Sequence, residues 1–272
     1  MPELPEVETV RRDLAVALRK RRIESVELPF PGSLRGAGRN GFVRQLTGAR
    51  FAGARRRGKF LILGLDSGQS LVVHLKMTGV LQHQKADDSL PKAARIIFYF
   101  RDGTRLVFSD QRKFGTVRLC GRPEQLPDIG ALGPEPLTRS FTPLALGARL
   151  AGRRAPVKAA LLDQTVVAGL GNIYTSEALH RAGILPQRPA GKLSIAEVER
   201  LHRSIRSVLE AAIKARGSSV NTYRDGRGER GWFQTAHRVY DRQGRRCRRC
   251  RGTIVKGRLR GRGTYWCPKC QK

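Results

Sequence analysis

Residues 59–79, KFLILGLDSGQSLVVHLKMTG, decide the architecture of the first half of the chain. Two short apolar runs, KFLILGL and SLVVHL, flank the turn sequence Asp66-Ser67-Gly68, so they read as consecutive β-strands and not as one helix. The pattern repeats on both sides: IESVEL (23–28) before it, then RIIFYF (95–100), TRLVF (104–108) and TVRLC (116–120) after it, with Asp102-Gly103 as a second turn signal. Six or more short strands with tight turns predict a sandwich or barrel. Ahead of the strands a helix is expected. Pro5 suits an early helical position, Glu6 and Glu8 fall in the first turn, and Val7, Val10, Leu14, Ala17 and Leu18 recur at helical spacing.

Beyond the strands, LPDIGALGPEPL (126–137) is rich in Pro and Gly and marks a boundary. The pattern then becomes helical over roughly 142–150, 155–166, 172–182 and 194–216. Ser194 and Glu197 form a possible capping box for the last of these, and Gly217 stops it. The Gly-rich stretch 217–235 predicts a long mobile loop. The fold class is therefore α+β and multidomain, with divisions expected at 1–130, 131–237 and 238–272.

Composition narrows the partners. The chain has 272 residues, with 53 Lys plus Arg (41 of them Arg) against 22 Asp plus Glu, a formal charge of +31. So cationic a protein implies a polyanion, nucleic acid first. Forty per cent hydrophobic residues argue against disorder. No run of about 18 apolar residues occurs and MPELPEVETV is not a signal peptide, so a soluble cytoplasmic protein with no membrane partner is expected.

Cys247-x2-Cys250-x16-Cys267-x2-Cys270 matches the four-cysteine zinc spacing. Each C-x2-C pair can set two thiolates on one side of a knuckle, and the 16 residues between suit a β-hairpin. Four sulfur ligands leave no open position for water, so one structural zinc ion is expected and no organic cofactor. Residues 238–272 carry 13 Lys or Arg and a single acid, Asp241, which favours a hairpin lying on phosphates over a merely solvated face. Cys120 is left over and reads as a structural thiol.

The amino terminus carries chemistry of another kind. A small second residue permits removal of Met1, leaving Pro2 with a free secondary amine. Its pKa near 8, against about 10.4 for lysine, suits it as a nucleophile toward a sugar carbon. Glu3 beside it can move the proton.

Taken together and in order, Pro2-Glu3-Leu4-Pro5-Glu6, the GKF around Lys59, HLKMTG (74–79), DQRKFG (110–115), GLGNIYTSEAL (169–179) and the cysteine tail closely resemble the bacterial formamidopyrimidine-DNA glycosylases. The resemblance runs from Pro2 to Gln271. It implies an N-terminal helix on a β-sandwich, a helix–two-turn–helix domain and a zinc hairpin, with DNA lying between the halves. It implies an N-glycosylase that excises oxidised purines and then cuts the strand by β,δ-elimination, acting as a monomer on double-stranded DNA in the cytoplasm.

By the same resemblance Pro2 is the nucleophile, Glu3 the acid that opens the sugar, and Glu6 its supporting carboxylate. Lys59 transfers a proton in β-elimination, and Arg262 serves δ-elimination and the flanking phosphates, a role a permanently charged guanidinium suits. Met77, Arg112 and Phe114 fill the space of the extruded nucleotide. Asn172 binds backbone phosphate at a helix start prepared by Gly169 and Gly171, while His74, Arg154 and Lys158 lie near the DNA. The loop 217–235 closes over the extruded base, with Ser218, Ser219 and Thr222 as contacts.

One departure concerns a histidine that family members often carry before the strand RIIFYF. Here Lys92-Ala93-Ala94-Arg95 stands in its place, so Lys92 or Arg95 would be a plain phosphate contact. Lys113 is a second, milder one. Three rival readings are a pyrimidine-specific relative of the endonuclease VIII branch, a catalytically silent zinc-hairpin DNA-binding protein, and an RNA-binding ribosome-associated protein. Leu4 with the GKF, HLKMTG and DQRKFG motifs favours the purine branch over the first, and Pro2 with Glu3 and Lys59 separates the glycosylase from the other two.

Overall fold

The computed structural model describes residues 1–36, 38–220 and 222–272. The described residues divide into two compact units, Met1–Gly130 with Ala215–Trp232, and Ala131–Lys214 with Phe233–Lys272.

The first unit opens with α1 (Leu4–Ala17) and continues through β1 (Ile23–Glu27), β2 (Leu34–Arg35), α2 (Arg39–Leu46), β3 (Phe51–Arg57), β4 (Phe60–Leu65), β5 (Ser70–His74), β6 (Gly79–Lys85), β7 (Ala94–Phe100), β8 (Thr104–Asp110) and β9 (Thr116–Cys120), to a last turn α3 (Pro127–Gly130). The strands make two sheets, β1-β7-β8-β6 and β2-β9-β5-β4-β3. One apolar core joins both: Val26, Leu81, Phe98, Leu106 and Phe108 from the first, Leu61, Leu63, Leu71, Val73 and Val117 from the second, and Val7, Val10 and Leu14 from α1. This is the expected sandwich with its N-terminal helix. Alternation along the strands sends apolar side chains to this shared core, the usual way two sheets hide their inner faces.

Five elements were absent from the sequence reading: α2, α3, β2, β3 and β6. In β3, FAGARRR, three consecutive arginines mask the period; in β6, GVLQHQK, only the first three residues are buried. Helix α2 buries only Phe42 and Leu46.

The second unit holds α4 (Pro143–Leu150), α5 (Val157–Leu162), α6 (Asn172–Ala182), α7 (Ile195–Lys214) and a hairpin of β10 (Val255–Leu259) with β11 (Arg262–Trp266). The capping box of α7 is present: Ser194 N–H donates to Glu197 Oε2 at 2.9 Å and Glu197 N–H to Ser194 Oγ at 3.3 Å. Helix α5 is shorter than the expected 155–166. Asp163 ends it, its Oδ1 accepting from the backbone and hydroxyl of Thr165 at 2.9 and 2.7 Å, a local turn that competes with the helix. In the hairpin, Arg260 (φ 47°) and Gly261 (φ 75°) make a two-residue turn with both φ positive, the twist a tight antiparallel pair requires. Among the described residues no helix is long and apolar enough to cross a membrane.

The stretch 217–235 corrects two expectations. Up to Trp232 it packs with the first unit, not with the helices it follows. It is also tied down at many points, with Asn221 alone outside the described residues. Ser218 and Trp232 form a β-bridge, and Trp232 N–H donates to Ala215 O at 2.8 Å. Gly231 N–H donates to Ser219 Oγ at 2.9 Å. Asp225 Oδ1 accepts from Arg227 and Glu229 N–H, both at 2.9 Å, and Arg216 joins Asp225 to Asp13 of α1. The glycines that suggested looseness provide tight turns instead.

Candidate active site and nucleic-acid interface

Helix α1 begins with an acidic reciprocal cap. Glu3 is the N-cap, its carboxylate accepting from the N–H of Glu6, while its own N–H donates to Glu6 Oε2 at 2.8 Å. Both acids are 2% exposed. A carboxylate is favoured at a helix N-terminus by the dipole and the free N–H groups, which is what lets two acids sit buried beside Pro2. The other oxygen of Glu6 accepts from Ser218 N–H at 2.8 Å. Tyr223 Oη donates to Glu6 O at 3.4 Å and to Arg216 O at 3.2 Å.

Lys59 sits in the turn joining β3 and β4, after Gly58 (φ 55°), and is 6% exposed. Both strands pack against α1, and Arg56 pairs with Glu8 at 3.2 Å. Phe60 faces His74 across the β4–β5 ladder, the two rings meeting edge to face at 4.6 Å. His74 Nδ1 accepts from Lys76 N–H at 2.9 Å, so a neutral ring carries its hydrogen on Nε2. Burial first, then the Lys76 and Lys59 ammoniums, press the His74 pKa down to about 3.

Met77, Arg112 and Phe114 come together. The Arg112 guanidinium lies 4.9 Å over the Phe114 ring and donates to Met77 Sδ at 3.1 Å. Met77 is 41% and Phe114 52% exposed, high for residues of their kind. Sequence reasoning missed the group that organises them. Asp110, 1% exposed, accepts from Gly115 N–H at 2.6 Å through Oδ2, and through Oδ1 from Arg112 N–H at 3.2 Å and from the Thr78 hydroxyl. It lay inside DQRKFG, where an aspartate before a turn reads as turn chemistry alone. Arg95 Nε donates to Asp110 O at 2.9 Å and its guanidinium stacks 5.0 Å over Phe30, so it braces this loop; Lys92 lines an adjacent polar cavity with Thr78 and Thr222.

In the second unit Asn172 is the first residue of α6, after the N-cap Gly171. Its Oδ1 is buried without a hydrogen-bond partner. Gln164, also missed, holds the preceding Gly-Leu-Gly turn: its Oε1 accepts from Gly169 N–H at 2.9 Å and its Nε2 donates to Leu170 O at 2.8 Å. Arg154 is exposed, as is Arg262 at the start of β11. Lys158 departs from expectation. It is 1% exposed, and its ammonium donates to Gly263 O at 2.9 Å and Thr264 Oγ1 at 3.0 Å, so it braces the hairpin from inside.

The sulfurs of Cys247, Cys250, Cys267 and Cys270 lie within 4.8 Å of one another, with Cys250–Cys267 at 3.4 Å and Cys247–Cys270 at 3.8 Å. Zinc–sulfur bonds of about 2.3 Å in a tetrahedron imply edges of about 3.8 Å, so the donor set fits zinc. Gln271 Oε1 accepts from Cys267 N–H at 2.8 Å, and its Nε2 donates to Ile184 O at 2.8 Å, holding the second knuckle.

Three family models match: the formamidopyrimidine-DNA glycosylase N-terminal domain over residues 1–117, the H2TH domain of the same glycosylases over 132–224, and a zinc finger found in FPG and IleRS over 244–272. A formamidopyrimidine-DNA glycosylase of Desulfitobacterium hafniense is 44% identical over 273 residues, covering all of both chains. The chain belongs to the formamidopyrimidine-DNA glycosylase family. Solved structures of a Lactococcus lactis family member agree over the whole length. A variant of it bound to Fapy-dG-containing DNA superimposes with a TM-score of 0.93 at 37% identity, all of both chains covered. The protein bound to abasic-site DNA gives 0.93 at 37%, with 99% of each covered. Bound to oxidised-pyrimidine DNA it gives 0.92 at 36%, again over all of both chains. With the zinc-finger match added to the sulfur geometry, the four thiols of this glycosylase-family chain hold one structural zinc ion.

Proposed function

We propose that the chain acts in base-excision repair, removing oxidised bases from double-stranded DNA and then cutting the strand at the abasic site. Oxidised purines (8-oxoguanine and formamidopyrimidines) are its principal substrates, and the amine of Pro2 is the nucleophile. The observation that carries this reading is the burial of Glu3, Glu6 and Lys59 in the unit that holds the amino terminus. Three buried ionisable groups cost stability, and DNA binding alone has no use for them.

With Met1 removed, the Pro2 nitrogen attacks C1′ and the damaged base departs. Glu3 delivers a proton to the ring oxygen as the C1′–O4′ bond opens, leaving an iminium. Glu6 holds Glu3 and Ser218 by their backbones and so keeps the acid in place. The iminium acidifies C2′; loss of that proton, with Lys59 serving the transfer, expels the 3′-phosphate. A second elimination expels the 5′-phosphate and leaves a one-nucleotide gap. Arg262, exposed on the hairpin, meets the phosphates flanking the lesion, with Arg154 and Asn172 on the backbone nearby.

Met77, Arg112 and Phe114 enter the vacated stack, Arg112 turning from Met77 and Phe114 to the orphaned cytosine. Ser218, Ser219 and Thr222 meet the extruded base, and His74 offers Nε2–H to a phosphate. The unit of Met1–Gly130 with Ala215–Trp232 would carry the chemistry, and in the second unit the helices would bind backbone while the hairpin clamps. Every residue invoked comes from one chain, so a monomer suffices. Its place is the cytoplasm, on the nucleoid while bound.

Borohydride trapping on a duplex with 8-oxoguanine opposite cytosine tests the reaction. A covalent adduct is expected with the native chain and not with Pro2→Gly or with a chain that keeps Met1. Normal trapping by the Met1-bearing chain would sink Pro2 as nucleophile.

A further inference from the structure

Helix α6 turns two buried polar side chains, one helical turn apart, toward the C-terminal segment. Glu177 accepts from the backbone N–H groups of Arg238, Val239 and Tyr240 at 2.9, 3.0 and 2.8 Å. His180, 1% exposed, puts Nε2 3.4 Å from Cys247 Sγ and 3.7 Å from Cys270 Sγ. Its other nitrogen, Nδ1, is buried with no hydrogen-bond partner.

That asymmetry fixes where the hydrogen is. With the hydrogen on Nδ1, a buried donor would lack an acceptor and the Nε2 lone pair would face two anionic sulfurs. With the hydrogen on Nε2, Nδ1 is left as an unpaired acceptor but the N–H meets the anionic sulfurs, so the tautomer avoids both the stranded donor and the lone pair facing charge. A doubly protonated ring also carries a hydrogen on Nε2, so the nitrogen facing sulfur is a donor in either form. Nor is His180 a ligand: the set of donor atoms within 4.8 Å of one another contains the four sulfurs and no imidazole nitrogen. It stands outside the tetrahedron, against the Cys247–Cys270 edge.

We propose that His180 is a positioning residue of the zinc centre, its Nε2–H shared between the Cys247 and Cys270 thiolates, and that this donation slows zinc loss. Four thiolates around one divalent cation leave a net charge of −2. At that edge the Arg249 N–H donates to Cys247 Sγ at 3.4 Å, and His180 supplies a side-chain donor that also reaches Cys270. A donated hydrogen withdraws charge from sulfur and makes the thiolate less basic, and protonation of a thiolate favours its departure from the metal. Partners of this sort are worth about ten- to a hundredfold in metal retention.

Zinc transfer from the DNA-free protein to an excess of a chromogenic chelator tests the proposal. His180→Phe keeps an aromatic ring but offers no donor; His180→Gln keeps an N–H at similar reach. Release from His180→Phe is expected about tenfold faster or more, with His180→Gln nearer the native rate. The cobalt(II)-loaded protein gives a second readout. Its sulfur-to-cobalt charge-transfer band should move to lower energy in His180→Phe and stay near its native place in His180→Gln. A purely packing role would leave the band unmoved, and an unmoved band with native-like release in His180→Phe overturns the proposal. Should His180→Phe fail to fold, His180→Met removes the donor with a flexible side chain and is read the same way.

Discussion

The backbone N–H of Ser218 donates to Oε1 of Glu6 at 2.8 Å, while Oε2 of the same carboxylate accepts from Glu3 N–H at 2.8 Å. One buried side chain thus fixes both the start of α1, where Pro2 lies, and the segment Ala215–Trp232. The fit is close: a Cβ added to Gly217, which has φ +84°, would lie 2.8 Å from Glu6 Oε1. Burial, and then the negative charge of Glu6 and Asp225, raise the Tyr223 phenol, which remains a donor to Glu6 O.

Glu6→Gln should therefore damage catalysis and folding together. The amide has one oxygen for two backbone donors, and turns its NH2 toward the other. Leaving a buried donor unsatisfied costs about 1–3 kcal/mol. Thermal unfolding should register that loss, and single-turnover excision should fall by more than binding to undamaged duplex does. Gly217→Ala should give a similar pattern by pushing on the same carboxylate. Native excision by both variants would show that the tie has no catalytic consequence.

Asp110→Asn probes the support beneath Met77, Arg112 and Phe114. Asp110 accepts from Gly115 N–H, Arg112 N–H and the Thr78 hydroxyl, and an asparagine NH2 must face one of these donors. A stability loss of about 1–3 kcal/mol is expected. Discrimination between lesion and undamaged duplex should shrink, because the three side chains lose their common anchor. Unchanged discrimination, measured by competitive binding at fixed salt, would remove Asp110 from the site.

The pH dependence follows from His74. Burial, then Lys76 and Lys59, lower its pKa to about 3 from 6.5, so the folded state holds the neutral ring. The unfolded chain takes up the proton first. Stability from this group is full above pH 6.5 and declines as pH falls from there toward 3, by up to about 1.4 kcal/mol per unit. Denaturant titrations at pH 7 and pH 5 should show a smaller drop for His74→Gln than for the native protein. Equal drops would mean that His74 titrates normally in the folded state.

Much of this was legible in the sequence, and the exceptions share a cause. Short apolar runs between turn signals, the four-cysteine spacing and the Ser194–Glu197 cap are local signals, and each sits where expected. Asp110, Glu177, His180 and Gln164 were missed because their meaning lies in partners distant in sequence or in backbone N–H groups, which no residue pattern records. Lys158 misled for the opposite reason. A lysine in a cationic chain reads as a phosphate contact, and only the fold reveals that its ammonium is spent on Gly263 and Thr264. The glycines of 217–235 misled likewise, composition suggesting looseness where long-range pairing imposes order.

Lys158 and Arg262 supply the sharpest test of what the +31 charge does. Each phosphate neutralised contributes about −0.9 to the log–log slope of affinity against salt. If Arg262 and some four to six other cations meet phosphates, the native slope should be near −5 to −6. Most of the excess would then serve non-specific capture and not the specific complex. Arg262→Gln removes an exposed contact and should flatten the slope by about 1. Lys158→Met removes a buried brace, leaving Gly263 O and Thr264 Oγ1 without their ammonium. It should weaken binding by displacing the hairpin that carries Arg262, and chelation of the zinc should weaken it further while the first unit stays folded by circular dichroism. A Lys158→Met variant that loses one unit of slope with its hairpin undisturbed would instead place that ammonium on DNA.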